Sequence, residues 1–455
     1  LPNRILERLF LVVFLLFIAS LFLKLGSDTL ELPALRVAYL SLVGVGFLLL
    51  VPNLRAAGYL RSPTVIFFLL FFGFELARAA WAAWFMWGRG VEDNLMLPLN
   101  RYFSSTVMWL IYLGFFIISL FHFRGRSESS LLLKTLMICA FLLAVAAIPP
   151  LLIKANAGYL NAEGRLGFFP PFAYFHPLVS KYLVSRYAHP NYMGDVIAMG
   201  FFPAMGVFFY SLRTLREHKS SLSALLPGLL MATEGLAIIL FFSRATILCF
   251  TAAFLIFLLA TLVKYPSRIQ MIVAGIALAV VLAFLLWAGN IQKTVKEIQT
   301  LERETDISQQ GTTGSGNREG IQRALAIYQN FTLWGVGTRG YESVSELFAS
   351  GPGHQYAMIQ FKAYNHYLQT LAEEGTGAFL YFLFLLSFLL ESGWRLFRSK
   401  SRFQFMAGLS LLMPVVLILA HAAVAPVMDY FAVATPVYIL MGATLGILQG
   451  NFEHA

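Results

Sequence analysis

Charge and cysteine are what this chain lacks. Of its 455 residues only 12% are Asp, Glu, Lys or Arg, about half the share expected of a soluble globular protein. Against that shortage stand 58% hydrophobic residues, 15% aromatics and a mean hydropathy of +0.72. Phe alone supplies 43 residues. No water-soluble fold of this size can hide so much apolar side chain, which excludes disorder and an ordinary cytosolic enzyme. Only two cysteines exist, Cys139 and Cys249, both inside apolar runs. A disulfide framework and a cysteine-based metal site are therefore excluded. The sequence reads as an all-α polytopic membrane protein.

A bilayer core of about 30 Å needs roughly 20 mostly apolar residues per helix. On that ruler about twelve spans are expected, near 9–25, 35–52, 64–87, 104–123, 131–153, 191–212, 224–242, 245–263, 269–289, 367–391, 404–422 and 427–448. The seventh and eighth are separated by little more than Ser243-Arg244. The runs are continuously apolar rather than alternating, which argues against a β-barrel. The chain opens at Leu1 rather than Met, read as a few missing N-terminal residues. The run from Leu9 lacks a small-residue cleavage site and reads as a first span.

Net charge is +10, from 33 Lys and Arg against 23 Asp and Glu. The excess gathers in every second loop: Arg55 and Arg61, Arg124 and Arg126, Arg213 and Arg216, Lys264 and Arg268, Arg395 to Arg402. Basic loops stay cytoplasmic, so both termini are expected in the cytoplasm, and the excess charge calls for no nucleic-acid partner. The chain then divides into helices one to nine (1–289), one large loop on the outer face (290–366), and helices ten to twelve (367–455). Within the loop, 291–304 is helical by composition and 305–317 is a flexible Gly/Ser/Thr stretch. In 318–331, Ile321, Ala324, Leu325 and Tyr328 recur at helical spacing and make one apolar stripe.

Charges in or beside apolar spans are functional candidates by default. Arg244 stands in AIILFFSRATILCF with no acidic residue within nine positions on either side. It is either an interfacial arginine at a helix end or an anion contact, since guanidinium pairs bidentately with phosphate. Arg186, Arg318 and Arg339 share its face, and so do His189, His354 and His366. Alone each reads as a surface residue; together the arginines would surround a lipid diphosphate head group. Histidine titrates near neutrality and could take a proton from a hydroxyl nucleophile. GVGTRG is no dinucleotide fingerprint, because no strand precedes it in a βαβ unit. No metal-ligand motif is evident, so a reaction without a metal or other cofactor is expected. Glu373-Glu374-Gly375 reads first as a helix end and second as a catalytic acid. Mid-membrane charge is confined to Glu75, Arg78, Glu234 and Asp429, and no internal repeat is found, both of which speak against a transporter.

Three elements recur in order: YAHPNYMGD at span six, SRATIL at span eight, and a large loop ending in YNHYLQTLAEEGTGAFL. With NREGIQRALAIYQN and WGVGTRGYES inside the loop, the chain resembles the O-antigen ligase and polymerase superfamily over about residues 185–395. The resemblance implies a GT-C-like glycosyltransferase of a bacterial inner membrane with its active site on the periplasmic face. It implies an undecaprenyl-diphosphate-linked O-antigen donor, a lipid A–core acceptor, and no metal. It carries Arg244 and Arg318 over as catalytic arginines. Arg186, Arg339, His189, Asn191, Tyr364 and Asn365 are expected to contact the diphosphate or glycan. The family reads His-Asn-x-Tyr-Leu where this chain has Tyr364-Asn365-His366-Tyr367-Leu368. Two residues on a helix are about 200° apart, so His366 takes the histidine's role only if the local backbone is not helical; otherwise Tyr364 holds that position. The O-antigen polymerase and a polysaccharide flippase or exporter are the alternatives. A protein O-oligosaccharyltransferase ranks lower, since it is expected to extend well beyond the last span.

Overall fold

A computed structural model describes residues 2–22, 33–54, 61–89, 93–163, 190–218, 222–240, 244–266, 272, 275, 315–348, 363 and 365–450. Among the described residues the structure is helical throughout, without strands. The helices are α1 (Pro2–Phe22), α2 (Pro33–Leu54), α3 (Pro63–Arg89), α4 (Asp93–His122), α5 (Arg126–Glu163), α6 (Pro190–His218), α7 (Leu222–Leu240) and α8 (Arg244–Lys264). There follow α9 (Ser315–Asn330), the short α10 (Tyr341–Val344), α11 (His366–Glu374), α12 (Gly377–Arg398), α13 (Arg402–Ala422) and α14 (Phe431–Gln449). Seven described helices are long and apolar enough to cross a membrane, in α3, α4, α5, α6, α8, α12 and α13. This is a multi-pass membrane protein. The ninth expected span, 269–289, and the helix expected at 291–304 lie outside the described residues or almost wholly so.

The expected tenth span, 367–391, divides in two. Gly375 adopts φ +57° and ends α11 before α12 begins. A Cβ at Gly375 would lie 2.6 Å from Gly335 N and Thr332 O, so this turn admits no side chain. The periodicity of the loop helix also needs correction. α9 starts at Ser315, three residues earlier than expected, and its buried face is Arg323, Ala324 and Ile327. Leu325 of the expected stripe is 41% exposed. The face turned inward is the one that meets Tyr341, whose hydroxyl donates to Gly320 O. Ala324 and Ile327 form a small second core with Val336, Tyr341, Ala363 and Ala372.

At the heart of the bundle α14 packs between α4 and α13, and α13 packs on α6 and α8. Gly442 and Gly446 of α14 lie directly on the carbonyls of Phe116 and Leu120 in α4, an approach only small residues allow. Within the bundle Tyr438 stacks on Phe384 and meets Trp109 edge-on, and Trp109 lies tilted against Tyr381. The basic loops gather at the opposite end: Lys264 donates to Phe397 O, Arg402 to Phe209 O, and Arg126 to the Tyr210 hydroxyl.

Gly442→Leu is expected to unseat α14 from α4. Thermal unfolding of the detergent-purified protein should show a loss of at least about 1–3 kcal/mol from overpacking; an unchanged midpoint would contradict the close contact.

Candidate active site

The end of the bundle away from the basic loops carries the candidate site, built around α11. Asn365 is the N-cap of this helix, in an extended conformation (φ −147°, ψ 109°), and its side chain accepts from Leu368 N. Its amide donates to Ala423 O, tying the start of α11 to the end of α13. The backbone at Asn365 is therefore not helical. The helical spacing that would set His366 far around the axis from position 364 does not apply. Tyr364 itself lies outside the described residues.

His366 is the first residue of α11 and is buried. Its Nδ1 stands 3.3 Å from Asp429 Oδ1, and its Nε2 lies 3.5 Å from the Tyr381 hydroxyl and 3.4 Å from Thr370 Oγ1. Gln369 donates to the other Asp429 oxygen at 2.8 Å and to Glu373 Oε1 at 3.2 Å. Asp429 closes the 3-10 turn Val427–Asp429 between α13 and α14, so one carboxylate fixes two residues on one face of α11. Its neighbour Tyr430 packs on Tyr192 of the YAHPNYMGD segment, ring centroids 4.0 Å apart.

The other end of α11 is held by a buried arginine. Arg78 of α3 is fully buried, pairs with Glu75 and lies 2.5 Å from Glu374. Its guanidinium also donates to Ser105 and to the carbonyls of Trp334 and Glu373. Residues 331–340 wrap the same helix end. Val336 N and Gly337 N donate to the last carbonyls of α11, those of Ala372 and Glu373. Gly335, Gly337 and Arg339 all have positive φ, 65°, 81° and 63°. In Arg339 this left-handed backbone is unusual for a residue with a side chain. GVGTRG thus spends its amides capping a helix C-terminus rather than cradling a phosphate. Thr338 joins the Arg78 cluster through Ser105 and Glu374. Arg339 lines a cavity of about 50 Å³ with Ser104, Ser105 and Met108.

Glu373 is buried between Gln369 and the backbone amide of Tyr341. Loss of hydration raises its carboxyl well above the ordinary glutamate range, and the nearby Asp429 and Glu374 carboxyls push it further the same way.

Of the sequence-derived residues, Asn365 and His366 stand together at the start of α11, whereas Arg339 lies in the turn that wraps its other end. Arg244 is the first residue of α8, and α8 runs from there to Lys264 at the basic end, which puts the start of α8 at the site end. Arg318 lies in the first turn of α9, which packs on α11, and Asn191 lies in the first turn of α6. For Arg244, Arg318 and Asn191 the structure describes the backbone alone; Arg186, His189 and His354 lie outside the described residues. Asp195, from the YAHPNYMGD segment, turns inward to a buried pair with His421 at 2.8 Å. Among the described residues no group of three His, Cys, Asp or Glu is arranged to hold a metal ion.

Residues 228–383 match the family model described as O-antigen ligase. Over that segment the chain is similar to the O-antigen ligase family. This ligase-family segment runs from α7 into α12 and includes Arg244, Arg318, Arg339 and His366 together. No curated protein matches the chain.

Two outcomes are expected here. Arg78→Leu leaves Glu374 buried without its cation and should cost about 3–5 kcal/mol, read as a lowered unfolding midpoint and proteolytic opening near 331–340. Glu373 binds a proton in the folded protein that the unfolded chain releases above the ordinary value of 4.5. Its contribution is present below that pH and is lost as pH rises toward its elevated native value. Glu373→Gln should accordingly lose less stability than the parent between pH 5 and 8; parallel profiles would refute the assignment.

Proposed function

We propose that this protein is a GT-C-like glycosyltransferase of about twelve spans. In this reading it sits in a bacterial inner membrane with both termini cytoplasmic and α11 on the periplasmic side. It moves O-antigen polysaccharide from undecaprenyl diphosphate onto lipid A–core, without a metal ion. The observation that carries the reading is the O-antigen ligase family segment, which takes in both catalytic arginines and the histidine. The buried His366–Asp429 pair gives that segment a chemical centre.

The chemistry follows from the partners of His366. With Asp429 accepting from Nδ1–H, the imidazole keeps its lone pair on Nε2 and its orientation is fixed. Nε2 can then take the proton from the acceptor sugar's hydroxyl as that oxygen attacks the anomeric carbon. The Tyr381 and Thr370 hydroxyls lie at the long limit of hydrogen bonding, so an incoming hydroxyl can displace them. Asp429 stabilises the imidazolium that forms. The departing diphosphate gains negative charge as the glycosidic bond breaks, and preorganised cations in a site shielded from water stabilise it. Arg244 and Arg318 suit this task because each sits in the first turn of a helix. A cation there opposes the helix dipole, and an anion seated between them relieves that cost. Direct attack inverts the anomeric centre. A retained configuration in the product, read by NMR, would rule out this one-step route.

The testing experiment combines purified protein, undecaprenyl-diphosphate-linked glycan and lipid A–core with EDTA present. A larger lipid A product is expected. Lengthening of the donor glycan with lipid A unmodified would make the protein the polymerase, and no change in either would return the exporter. His366→Ala should lower transfer by about 10²–10⁴-fold, while Tyr364→Phe should be mild. Arg244→Lys should fail as Arg244→Ala does, because lysine lacks the planar bidentate fork; rescue by lysine would mean that charge alone suffices.

A further inference from the structure

At the end of the bundle opposite α11, the last turns of α12 border a groove of about 990 Å³ against α3 and α14. This is the upper end of the roughly 300–1,000 Å³ typical of ligand cavities. Phe67, Leu386 and Leu390 line its apolar part. Along α12, Leu386, Leu390, Trp394 and Arg398 follow one another every fourth residue and so form a single ridge on one helix face. All four are solvent-facing within the protein, with Leu390 65% and Trp394 60% exposed. At 1.5 Å per residue the ridge is about 18 Å long, close to the depth of one leaflet of a 30 Å core. It passes from aliphatic to Trp to cation in the order in which a leaflet passes from acyl chain to interface to head group.

The charged rim is biased to one sign. Arg395, Arg398 and Lys400 face the groove with one carboxylate, Glu391. That carboxylate is already engaged by Ser62, Thr64 and Arg395. Arg398 stands 4.0 Å over the Trp394 ring, a stacking that holds its guanidinium at the interface.

We propose that this groove is a specific site for an anionic two-chain phospholipid, its phosphate on Arg398 and Lys400 and one acyl chain along Leu390 and Leu386. The site is separate from the transfer chemistry and does not depend on it. Basic pockets between spans bind acidic lipid head groups by this combination of charge and apolar wall.

Native mass spectrometry of the intact protein in a neutral detergent tests it, with phosphatidylglycerol and phosphatidylcholine of the same acyl chains as probes. Phosphatidylglycerol should be retained about tenfold better. The pair Arg398→Gln with Lys400→Gln should abolish that preference, Arg398→Lys should keep most of it, and Trp394→Ala should weaken both lipids alike. Millimolar inorganic phosphate should leave the bound lipid in place. Equal retention of the two lipids, a preference that survives the double substitution, or displacement by inorganic phosphate would each overturn the proposal.

Discussion

One buried cation organises the end of the bundle that carries α11. Arg78 lies within an apolar span, where an unpaired charge costs several kcal/mol, and its neighbours lie in both the bundle and the loop. Glu75 and Ser105 come from the bundle, and Glu374 and two carbonyls come from α11 and the 331–340 turn. The loop structure is thereby fastened into the bundle. With its C-terminal end fixed, the helix places His366 at its other end against Asp429. Removing Arg78 would strand a carboxylate and release two carbonyls from their donor. The same cluster explains why 331–340 adopts three left-handed residues: the turn must bring its amides onto the end of α11 while leaving room for the guanidinium.

The candidate site then has a consistent construction. Arg244, Arg318, Asn191 and His366 all sit in first turns of helices, those of α8, α9, α6 and α11. Helix N-termini carry partial positive charge and free amides. A face assembled from them, as proposed for the transfer site, would favour an anion before any side chain is counted. Glu75 and Glu374 are paired with Arg78, and Asp429 and Glu373 are two further acidic residues among the described ones. Asp429 is tied to His366 and Gln369, and Glu373 is held toward its neutral form by burial.

Much of this was legible in the sequence, because hydropathy reads directly onto the bilayer. Seven described helices that fall on expected spans are long and apolar enough to cross a membrane. The basic loops were legible too, and they converge at one end. At Gly375 the sequence signals a helix end in Glu373-Glu374-Gly375, yet the expected tenth span runs across it; the break is fixed by contact with Thr332 and Gly335, which hydropathy does not show. The loop helix was found, but its inward face was set by Tyr341, a tertiary partner no periodicity reveals. Arg78, Glu75 and Asp429 stood out as mid-membrane charges without a role, and the signal that finds them is the cost of burying charge. Their partners lie 27 to 296 residues away along the chain, apart from the Glu75–Arg78 contact. That Asn365 is an extended N-cap was not legible either, since it depends on the tie of its amide to Ala423 O at the end of α13.

His366 and Asp429 are proposed to act as one unit in proton transfer, and a double-mutant cycle on the transfer reaction separates that from independent roles. Rates of glycan transfer to lipid A–core would be measured for His366→Ala, Asp429→Asn and the double variant. If the pair is one unit, the double variant should be no slower than His366→Ala alone. Losses that multiply would contradict the account and make Asp429 an independent contributor.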